Sequence, residues 1–299
     1  MLITDVTAYP ISFAIPPEHQ VRLGIGTTVK RDAVLVKATT DAGITGWGEA
    51  HAARAPSAIA ELINTTLRQL VVGLDACDPA AVWERVYRMQ LASHGAGAAA
   101  AIGLSGIDMA LWDIRGKAQG RPLYALLGGT RRAVTAYAGG IALGYQPVPA
   151  LLAEIDAVVA SGYRAFKLRL GDTPAKDIER LEAARHHVGE QFDILTDVNT
   201  SYDLAQVGTL MPALDATRAG WLEEPFPAHA YKLYIAAARL GRTPLAAGEN
   251  HYTRFEFERV ADDGAIAVWQ PDLSKTGGIT EALRIRELAR SVGASVHPH

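Results

Sequence analysis

Three acidic residues recur at equal spacing in the second half of the sequence. Asp197, Glu223 and Glu249 lie 26 positions apart, and each follows a short apolar run. Each one alone is equally consistent with a cap on the helix that follows it. If the three carboxylates converge, a hard divalent cation would offset their mutual repulsion, and the all-oxygen donor set favours Mg²⁺ over zinc. The spacing therefore predicts a magnesium site.

Other polar side chains end the neighbouring apolar runs. They are, in chain order, Lys167 and Arg169, Asn199, Asp272 and His299. In a parallel barrel the residues at the carboxyl ends of the strands meet on one face, so we expect this set to surround the predicted metal site. His299 is the best candidate acid or base among them, because the ordinary histidine pKa of about 6.5 suits proton transfer near neutral pH.

The elements that would hold these residues repeat after Arg132. Short apolar runs alternate with longer amphipathic stretches, which predicts parallel βαβ units and favours a modified (β/α)₈ barrel over an open doubly wound sheet. Because a barrel closes with eight strands, we expect an eighth strand beyond these 299 residues. The seven candidate strands are 134–141, 164–170, 192–198, 220–225, 244–249, 265–272 and 294–299.

The N-terminal third has a different pattern of predicted elements, with strands first and helices after. Runs 2–15 and 33–50 are rich in residues that favour strands, and Asp41-Ala42-Gly43 splits the second run into a hairpin. Apolar residues at helical spacing follow in segments 57–72, 78–91 and 98–118. Segregated strands and helices indicate an α+β domain. We therefore predict an α+β capping domain at 1–132 and a barrel domain at 133–299.

Composition excludes several classes of protein. The chain has 29 basic and 32 acidic side chains, a formal charge of -3, which argues against a nucleic-acid-binding arm or a polybasic membrane anchor. Cys77 is the single cysteine, so no intrachain disulfide and no cysteine-rich metal cluster can form. The first residues lack the pattern of a signal peptide. We expect a cytoplasmic protein without nucleic-acid or membrane partners.

Seven segments of the chain together resemble one family. In their order and spacing they resemble the enolase superfamily, in its mandelate racemase and muconate lactonizing branch. The resemblance covers nearly the whole chain and implies that Asp197, Glu223 and Glu249 bind Mg²⁺. The segments are 46–49 (GWGE), 105–113 (SGIDMALWD), 166–171 (FKLRLG), 195–199 (LTDVN), 221–225 (WLEEP), 247–250 (AGEN) and 270–278 (QPDLSKTGG).

The sixth barrel strand separates the subgroups of that branch. Asp272 stands where the subgroups with paired lysines carry a lysine, so the resemblance implies a dyad of Asp272 and His299, as in mandelate racemase and the acid-sugar dehydratases. Such enzymes remove a proton next to a carboxylate, and a metal stabilises the resulting enediolate. The resemblance implies a Lys or His base that acts together with Mg²⁺, as in other members of the superfamily.

Arg169 departs from the family pattern, in which a second lysine is usual. Deprotonating a guanidinium at pH 7 would cost roughly 7 kcal/mol, from about 5.5 pKa units at about 1.36 kcal/mol each. Arg169 is therefore a poor base, and a reaction that needs a base on one face only is favoured. The sequence leaves open whether Lys167 acts as a second base. Arg169 and Lys167 would otherwise stabilise negative charge.

These residues favour a Mg²⁺-dependent lyase that dehydrates an aldonate or aldarate to a 2-keto-3-deoxy acid. The alternative is an isomerase of the same fold, either a racemase or epimerase or a lactone cycloisomerase, with Lys167 or Arg169 opposite His299. A non-catalytic metal-binding scaffold is the remote alternative, since it would not need Asp272 and His299 in register with the metal ligands.

Substrate contacts are predicted from position. The capping-domain loops at 15–30, where Arg22 lies, and near His51 would form an anionic clamp over the barrel, and Asn199, at a strand end, is a further candidate substrate contact. Lys275 is interpreted as structural because it lies three positions past Asp272. The family resemblance also implies a homo-oligomer.

Overall fold

An antiparallel sheet forms one layer of the N-terminal part of the chain. The computed structural model describes residues 1–95, 97–139 and 143–299. Strands β1, β4 and β5 pair in that order, and β2 and β3 form a separate hairpin. The turn predicted at Asp41-Ala42-Gly43 joins β4 to β5, with Gly43 at φ +75°. The strands are β1 (Ile3–Ala14), β2 (Val21–Leu23), β3 (Gly26–Thr28), β4 (Lys30–Thr40) and β5 (Thr45–Ala50).

Helices form the second layer of this part. The long helix α5 packs on β5, where a side chain at Gly46 or Gly48 would overlap the α5 backbone. By length and composition α5 is apolar enough to cross a membrane, but 72% of its most apolar window is buried within the protein, as in a core helix. A 3₁₀ turn at Pro17–His19 and π-helical turns at Ile63–Leu67 and Tyr87–Leu91 complete this part. The helices are α1 (Pro56–Leu62), α2 (Arg68–Val71), α3 (Pro79–Val86), α4 (Ala92–His94), α5 (Gly97–Gln119) and α6 (Leu123–Leu126).

Parallel strands alternate with helices in the rest of the chain. Strands β6 to β11 lie side by side in chain order, as the repeat predicts. Each lies inside its predicted range but is shorter than predicted. The elements are β6 (Ala165–Arg169), α8 (Pro174–Val188), β7 (Asp193–Asp197), α9 (Leu204–Ala216), β8 (Leu222–Glu223), α10 (Tyr231–Ala237), β9 (Leu245–Ala247), α11 (Thr253–Asp263), β10 (Val268–Trp269), α12 (Gly278–Val292) and β11 (Ser295–Val296), with α7 (Val148–Ala160) preceding β6.

The strand predicted at 134–141 is not formed within residues 134–139, the part of it that the structure describes, so this prediction is wrong there. Residues 134–139 contain an isolated bridge, in which Ala138 pairs with Phe166 of β6, and Val134 is 79% exposed. Because Val134 is exposed to solvent, a strand at this position would bury little apolar surface. This explains why the pairing with β6 within residues 134–139 is limited to one bridge. Residues 140 and 141 of this candidate lie outside the described residues.

Two separate sets of buried apolar side chains form the cores of the two parts. One is drawn from residues 3–114 and the other mainly from residues 143–289. This division is consistent with the predicted boundary at residue 132, which stays a prediction.

Helix α5 and the start of α12 join the two parts through buried polar contacts. The Ser105 hydroxyl accepts from the Gly277 N–H at 2.8 Å, and Asp108 Oδ2 accepts from the Thr280 N–H at 2.9 Å. The Trp112 indole N–H also donates to Thr280 Oγ1, at 2.9 Å. Burial raises the pKa of the Asp108 carboxyl to about 7. The contact between the two parts therefore contains a carboxyl that the fold keeps protonated below neutrality.

We predict that Asp108→Asn weakens the pH dependence of stability. Between about pH 4 and pH 7 the unfolded carboxyl ionises while the folded one stays protonated, so the wild-type free energy of unfolding falls as the pH rises. At about 1.4 kcal/mol per pKa unit, the stability of the Asp108→Asn variant relative to wild type should rise by about 2 to 4 kcal/mol across that window. Urea denaturation of the intact protein at several pH values measures this. Asp113→Asn, on the same helix but partly exposed, is the control; equal pH slopes for Asp108→Asn and wild type would contradict the prediction.

Candidate active site

The carboxyl ends of the parallel strands bring the predicted residues to one region. β6 contributes Lys167 and Arg169, β7 ends at Asp197 and β8 ends at Glu223. After β9, Gly248 adopts φ +152° against the Gln270 backbone, a conformation and an approach that only glycine tolerates, and Glu249 follows it. Asp272 and His299 follow β10 and β11. The strand-end pattern in the sequence thus corresponds to a spatial cluster.

Two cations of β6, Lys167 and Arg169, contact the first two predicted metal ligands, Asp197 and Glu223. Lys167 Nζ is 2.7 Å from Glu223 Oε1 and 3.1 Å from Asp197 Oδ2. The Arg169 guanidinium pairs with Asp197 and also donates to Asn199 Oδ1 at 2.7 Å. Burial by itself would lower the pKa of Lys167, but Asp197 and Glu223 outweigh it and raise that pKa above its usual value. In this arrangement Lys167 is a cation that stabilises negative charge.

Glu223 is held on its other side by neutral donors. Trp221 Nε1 donates to Glu223 Oε2 at 3.1 Å, and Gln270 Nε2 donates to the same oxygen at 2.8 Å. Even so, burial and then the Asp197 charge raise the pKa of Glu223. Gln270 and Trp221 contribute to the site in a way that the strand-end pattern did not predict, although both belong to the motifs 270–278 and 221–225.

The His299 imidazole bridges two carboxylates. Its Nδ1 lies 3.2 Å from Asp272 Oδ2, and its Nε2 lies 2.7 Å from Glu249 Oε2. The hydrogen bonds to Asp272 and then to Glu249 raise the pKa of His299 to about 10. Asp272 Oδ1 accepts in turn from the Ser274 N–H at 2.7 Å and from the Ser274 hydroxyl at 2.6 Å. The predicted pairing of His299 with Asp272 is therefore present in the structure.

A further group, Glu224, Asn250 and Lys275, lies beside these residues. Glu224 is buried in a left-handed conformation (φ +39°), and both of its oxygens accept from Asn250 Nδ2 at 3.0 Å. Lys275 Nζ donates to Asn250 Oδ1 at 3.2 Å and lies 4.0 Å from Glu249. Lys275 therefore lies next to the predicted site residues, and its interpretation as structural stays a prediction. The loop after β10 turns back, so a residue three positions past Asp272 reaches the same face.

The charges of this region fit a divalent cation. Five carboxylates (Asp197, Glu223, Glu224, Glu249 and Asp272) meet three permanent cations (Lys167, Arg169 and Lys275), which leaves a charge of -2 when His299 is neutral. Burial and neighbouring carboxylates raise the pKa of Glu224 well above its usual value, as expected where negative charge is in excess. The donor atoms are all oxygens, which suits Mg²⁺.

The three predicted metal ligands are not grouped as a preformed cage. Within residues 1–95, 97–139 and 143–299, no three acidic, histidine or cysteine side chains are arranged to hold a metal. Asp197 and Glu223 share Lys167, whereas Glu249 contacts His299. Each of the three carboxylates thus has a basic side chain as its partner, which offsets the cost of burying its charge. Asp197, Glu223 and Glu249 stay the predicted ligands.

The two predicted substrate contacts lie in different surroundings. Asn199 is buried beside Asp197, whose Oδ1 accepts from the Asn199 N–H at 2.9 Å. Arg22 lies on the β2–β3 hairpin, exposed, at a cavity of about 300 Å³ that it shares with Tyr145, Gly171 and Lys176. That cavity adjoins the loop after β6, and none of the five carboxylates lines it. The roles of Asn199 and Arg22 in substrate binding stay predictions.

Comparisons with known proteins agree with this fold and site. Residues 8–128 match the model described as mandelate racemase / muconate lactonizing enzyme, N-terminal domain, and residues 150–299 match the model described as enolase C-terminal domain-like. The structure superposes on a member of the enolase superfamily from Polaromonas sp. JS666 with a TM-score of 0.97 and 51% identity, over 100% of this chain and 79% of that one. This similarity confirms the predicted fold class.

Two curated relatives carry enzyme names. The chain is 31% identical to an arabinonate dehydratase of Saccharolobus solfataricus, over 100% of this chain and 81% of the relative. It is 35% identical to a D-galactonate dehydratase of Variovorax paradoxus, over 89% of this chain and 71% of the relative. Together with the matches to both family models, these similarities show that the chain belongs to the mandelate racemase / muconate lactonizing enzyme family of the enolase superfamily.

Proposed function

We propose that this chain is a Mg²⁺-dependent dehydratase of an acid sugar, an aldonate or aldarate, and that it forms a 2-keto-3-deoxy acid. The observation that carries the proposal is the His299 imidazole, which Asp272 orients at 3.2 Å and whose other nitrogen contacts Glu249, one of the three predicted metal ligands, at 2.7 Å. The similarity to arabinonate and D-galactonate dehydratases supports the same reaction class.

His299 would perform both proton transfers. Its Nε2 takes the proton from the carbon next to the substrate carboxylate, and Asp272 holds the ring through Nδ1 and stabilises the imidazolium. The bond from the β carbon to its hydroxyl oxygen then breaks, and His299 returns the proton to that oxygen as water leaves. The enol that remains rearranges to the 2-keto-3-deoxy acid.

The other residues of the site, Lys167, Arg169 and the acidic residues, would bind the metal and the substrate carboxylate. Asp197, Glu223 and Glu249 would hold the metal. When bound, Mg²⁺ supplies positive charge that neutralises these carboxylates, lowers the pKa of His299 toward neutrality and stabilises negative charge on the substrate carboxylate. Lys167 and Arg169 would orient the substrate carboxylate, and Arg169 stays protonated throughout.

A racemase, epimerase or lactone cycloisomerase is the second candidate. The observation that favours it is the position of Lys167, which is buried on β6 across the carboxylates from His299. A lysine there could act as a base on the opposite face of the substrate. The ion pairs with Asp197 and Glu223 keep Lys167 charged, which weighs against that role.

We predict that Glu223→Gln lowers Mg²⁺ affinity and abolishes turnover while the fold stays intact. Gln keeps the shape of the side chain but removes one of three negative metal ligands. We expect the dissociation constant for Mg²⁺, measured by calorimetry, to rise at least tenfold, or about 1.4 kcal/mol. Glu182→Gln, on the exposed face of α8, is the matched control. Unchanged Mg²⁺ affinity in Glu223→Gln would argue against Glu223 as a ligand.

We predict that His299→Asn eliminates both exchange of the α proton and loss of water. Removing a general base or acid usually costs between about 10² and 10⁴ in rate. The measurements are deuterium uptake at the α carbon and semicarbazide detection of the keto acid, with Mg²⁺ and D-galactonate or arabinonate. His297→Asn is the control, because His297 lies on the same segment but packs 5.5 Å from the Trp221 ring. A His299→Asn protein that retains both activities would refute the role.

We predict that Arg169→Lys behaves differently from His299→Asn. The substitution keeps the charge but loses the planar fork that contacts Asp197 and Asn199, so dehydration should fall. A lysine beside Lys167 can lose its proton more easily than an arginine, so slow exchange of the α proton on the opposite face should appear. If the wild-type protein already exchanges α protons of both configurations at comparable rates, two bases operate and the racemase candidate replaces the dehydratase.

A further inference from the structure

His51 brings the N-terminal part of the chain into contact with Ser274, the residue that holds Asp272. It is the residue after β5, and its backbone N–H donates to the Ser274 carbonyl at 3.0 Å. The N–H and hydroxyl of Ser274 hold Asp272 Oδ1. The backbone contact therefore positions the Asp272 loop, and it does so independently of the His51 side chain.

The His51 ring has a defined orientation and a defined proton. Its Nδ1 accepts from the Ala53 N–H at 3.0 Å. A neutral imidazole that accepts at Nδ1 carries its proton on Nε2, so Nε2 is a hydrogen-bond donor. Burial first, and then Lys275, lower the pKa of His51, which keeps the ring neutral at neutral pH.

The turn that holds this ring is strained. Ala53 and Arg54 adopt φ values of +49° and +59°, two consecutive non-glycine residues in the left-handed region. Such residues are strained, and strain of this kind concentrates at functional sites. The ring is half-buried, and the backbone of the same residue contacts Ser274, which holds Asp272 of the candidate site. The turn thus holds a neutral N–H donor next to the loop that orients Asp272.

We propose that His51 is a catalytic residue that donates a hydrogen bond from Nε2 to the leaving hydroxyl of the acid sugar, an inference that rests on the proposed dehydratase function. The proposed reaction returns a proton from His299 to that hydroxyl, so the leaving oxygen must lie on the His299 side, where His51 is found. His51 keeps its proton throughout. The carbon–oxygen bond breaks, the oxygen takes the proton from His299, and the His51 N–H stabilises the negative charge that develops on it meanwhile.

The proton assignment can be tested without a substrate. Long-range ¹H–¹⁵N correlation spectra of ¹⁵N-histidine-labelled protein, with His51→Asn to assign the signal, should show His51 as the neutral tautomer protonated at Nε2. A proton on Nδ1, or a charged ring at pH 7, would overturn the proposal, because Nε2 would then not be the neutral donor that the Ala53 contact implies.

The catalytic role is tested by a pair of substitutions. In His51→Asn the amide oxygen can still accept from Ala53, but the donor at the Nε2 position is lost. In His51→Gln an amide N–H can reach that position. We expect His51→Asn to lower keto-acid formation from D-galactonate or arabinonate, with Mg²⁺, on the order of 100-fold in kcat with little change in KM. His51→Gln should recover much of the loss. His94→Asn, at an exposed histidine in contact with Ser93, is the control.

Deuterium exchange separates this role from a structural one. If His51 assists only the departure of the hydroxyl, His51→Asn in D₂O should still place deuterium at the α carbon of unreacted substrate, at a rate close to wild-type turnover. Parallel loss of exchange and dehydration, or wild-type dehydration in His51→Asn, would overturn the proposal. A wild-type protein that dehydrates no member of a panel of aldonates and aldarates would instead refute the proposed function, and the NMR assignment would still decide whether His51 is a donor.

Discussion

The burial of negative charge at the carboxyl ends of the parallel strands is the constraint on which the site depends. Carboxylates such as Asp197, Glu223 and Glu224 are 1% exposed, and burying an ionised carboxylate without partners is strongly unfavourable. The surrounding residues therefore supply cations and N–H donors. Lys167 contacts both Asp197 and Glu223, and two neutral donors, Trp221 and Gln270, bind the other oxygen of Glu223. The same excess of negative charge makes the region suitable for a divalent cation.

The N-terminal part completes the site because buried contacts hold it on the barrel strands. Ser105 of α5 binds the Gly277 N–H, inside the motif that contains Asp272, and Asp108 binds the Thr280 N–H just after it. A side chain at Gly278 would overlap Asp108, so the close approach of the two parts requires glycine there. His51 makes a second contact, to the loop that orients Asp272. A change in how the two parts pack would therefore alter the geometry around His299.

Much of the fold and of the candidate site could be predicted because the signals were local. The alternation of apolar runs and amphipathic stretches identified β6 to β11, and the 26-residue spacing placed Asp197, Glu223 and Glu249 at strand ends. The prediction failed where contacts at a distance dominate. The segment 134–139 forms a single bridge to β6. A local difference is the hairpin of β2 and β3, within residues 15–30, which were expected to form a loop.

The sequence by itself determined which residue types stand at the strand ends, because strand periodicity and family motifs are properties of neighbouring positions along the chain. Only the tertiary structure decided which partner each side chain takes. Glu249 contacts His299 while Asp197 and Glu223 share Lys167, and Lys275 enters the site through a turn of its loop. For His51, the sequence predicted only that its region would lie among the loops over the barrel. These pairings join residues that lie tens to hundreds of positions apart, and the balance of burial, repulsion and hydrogen bonding that selects them exists only after the chain has folded.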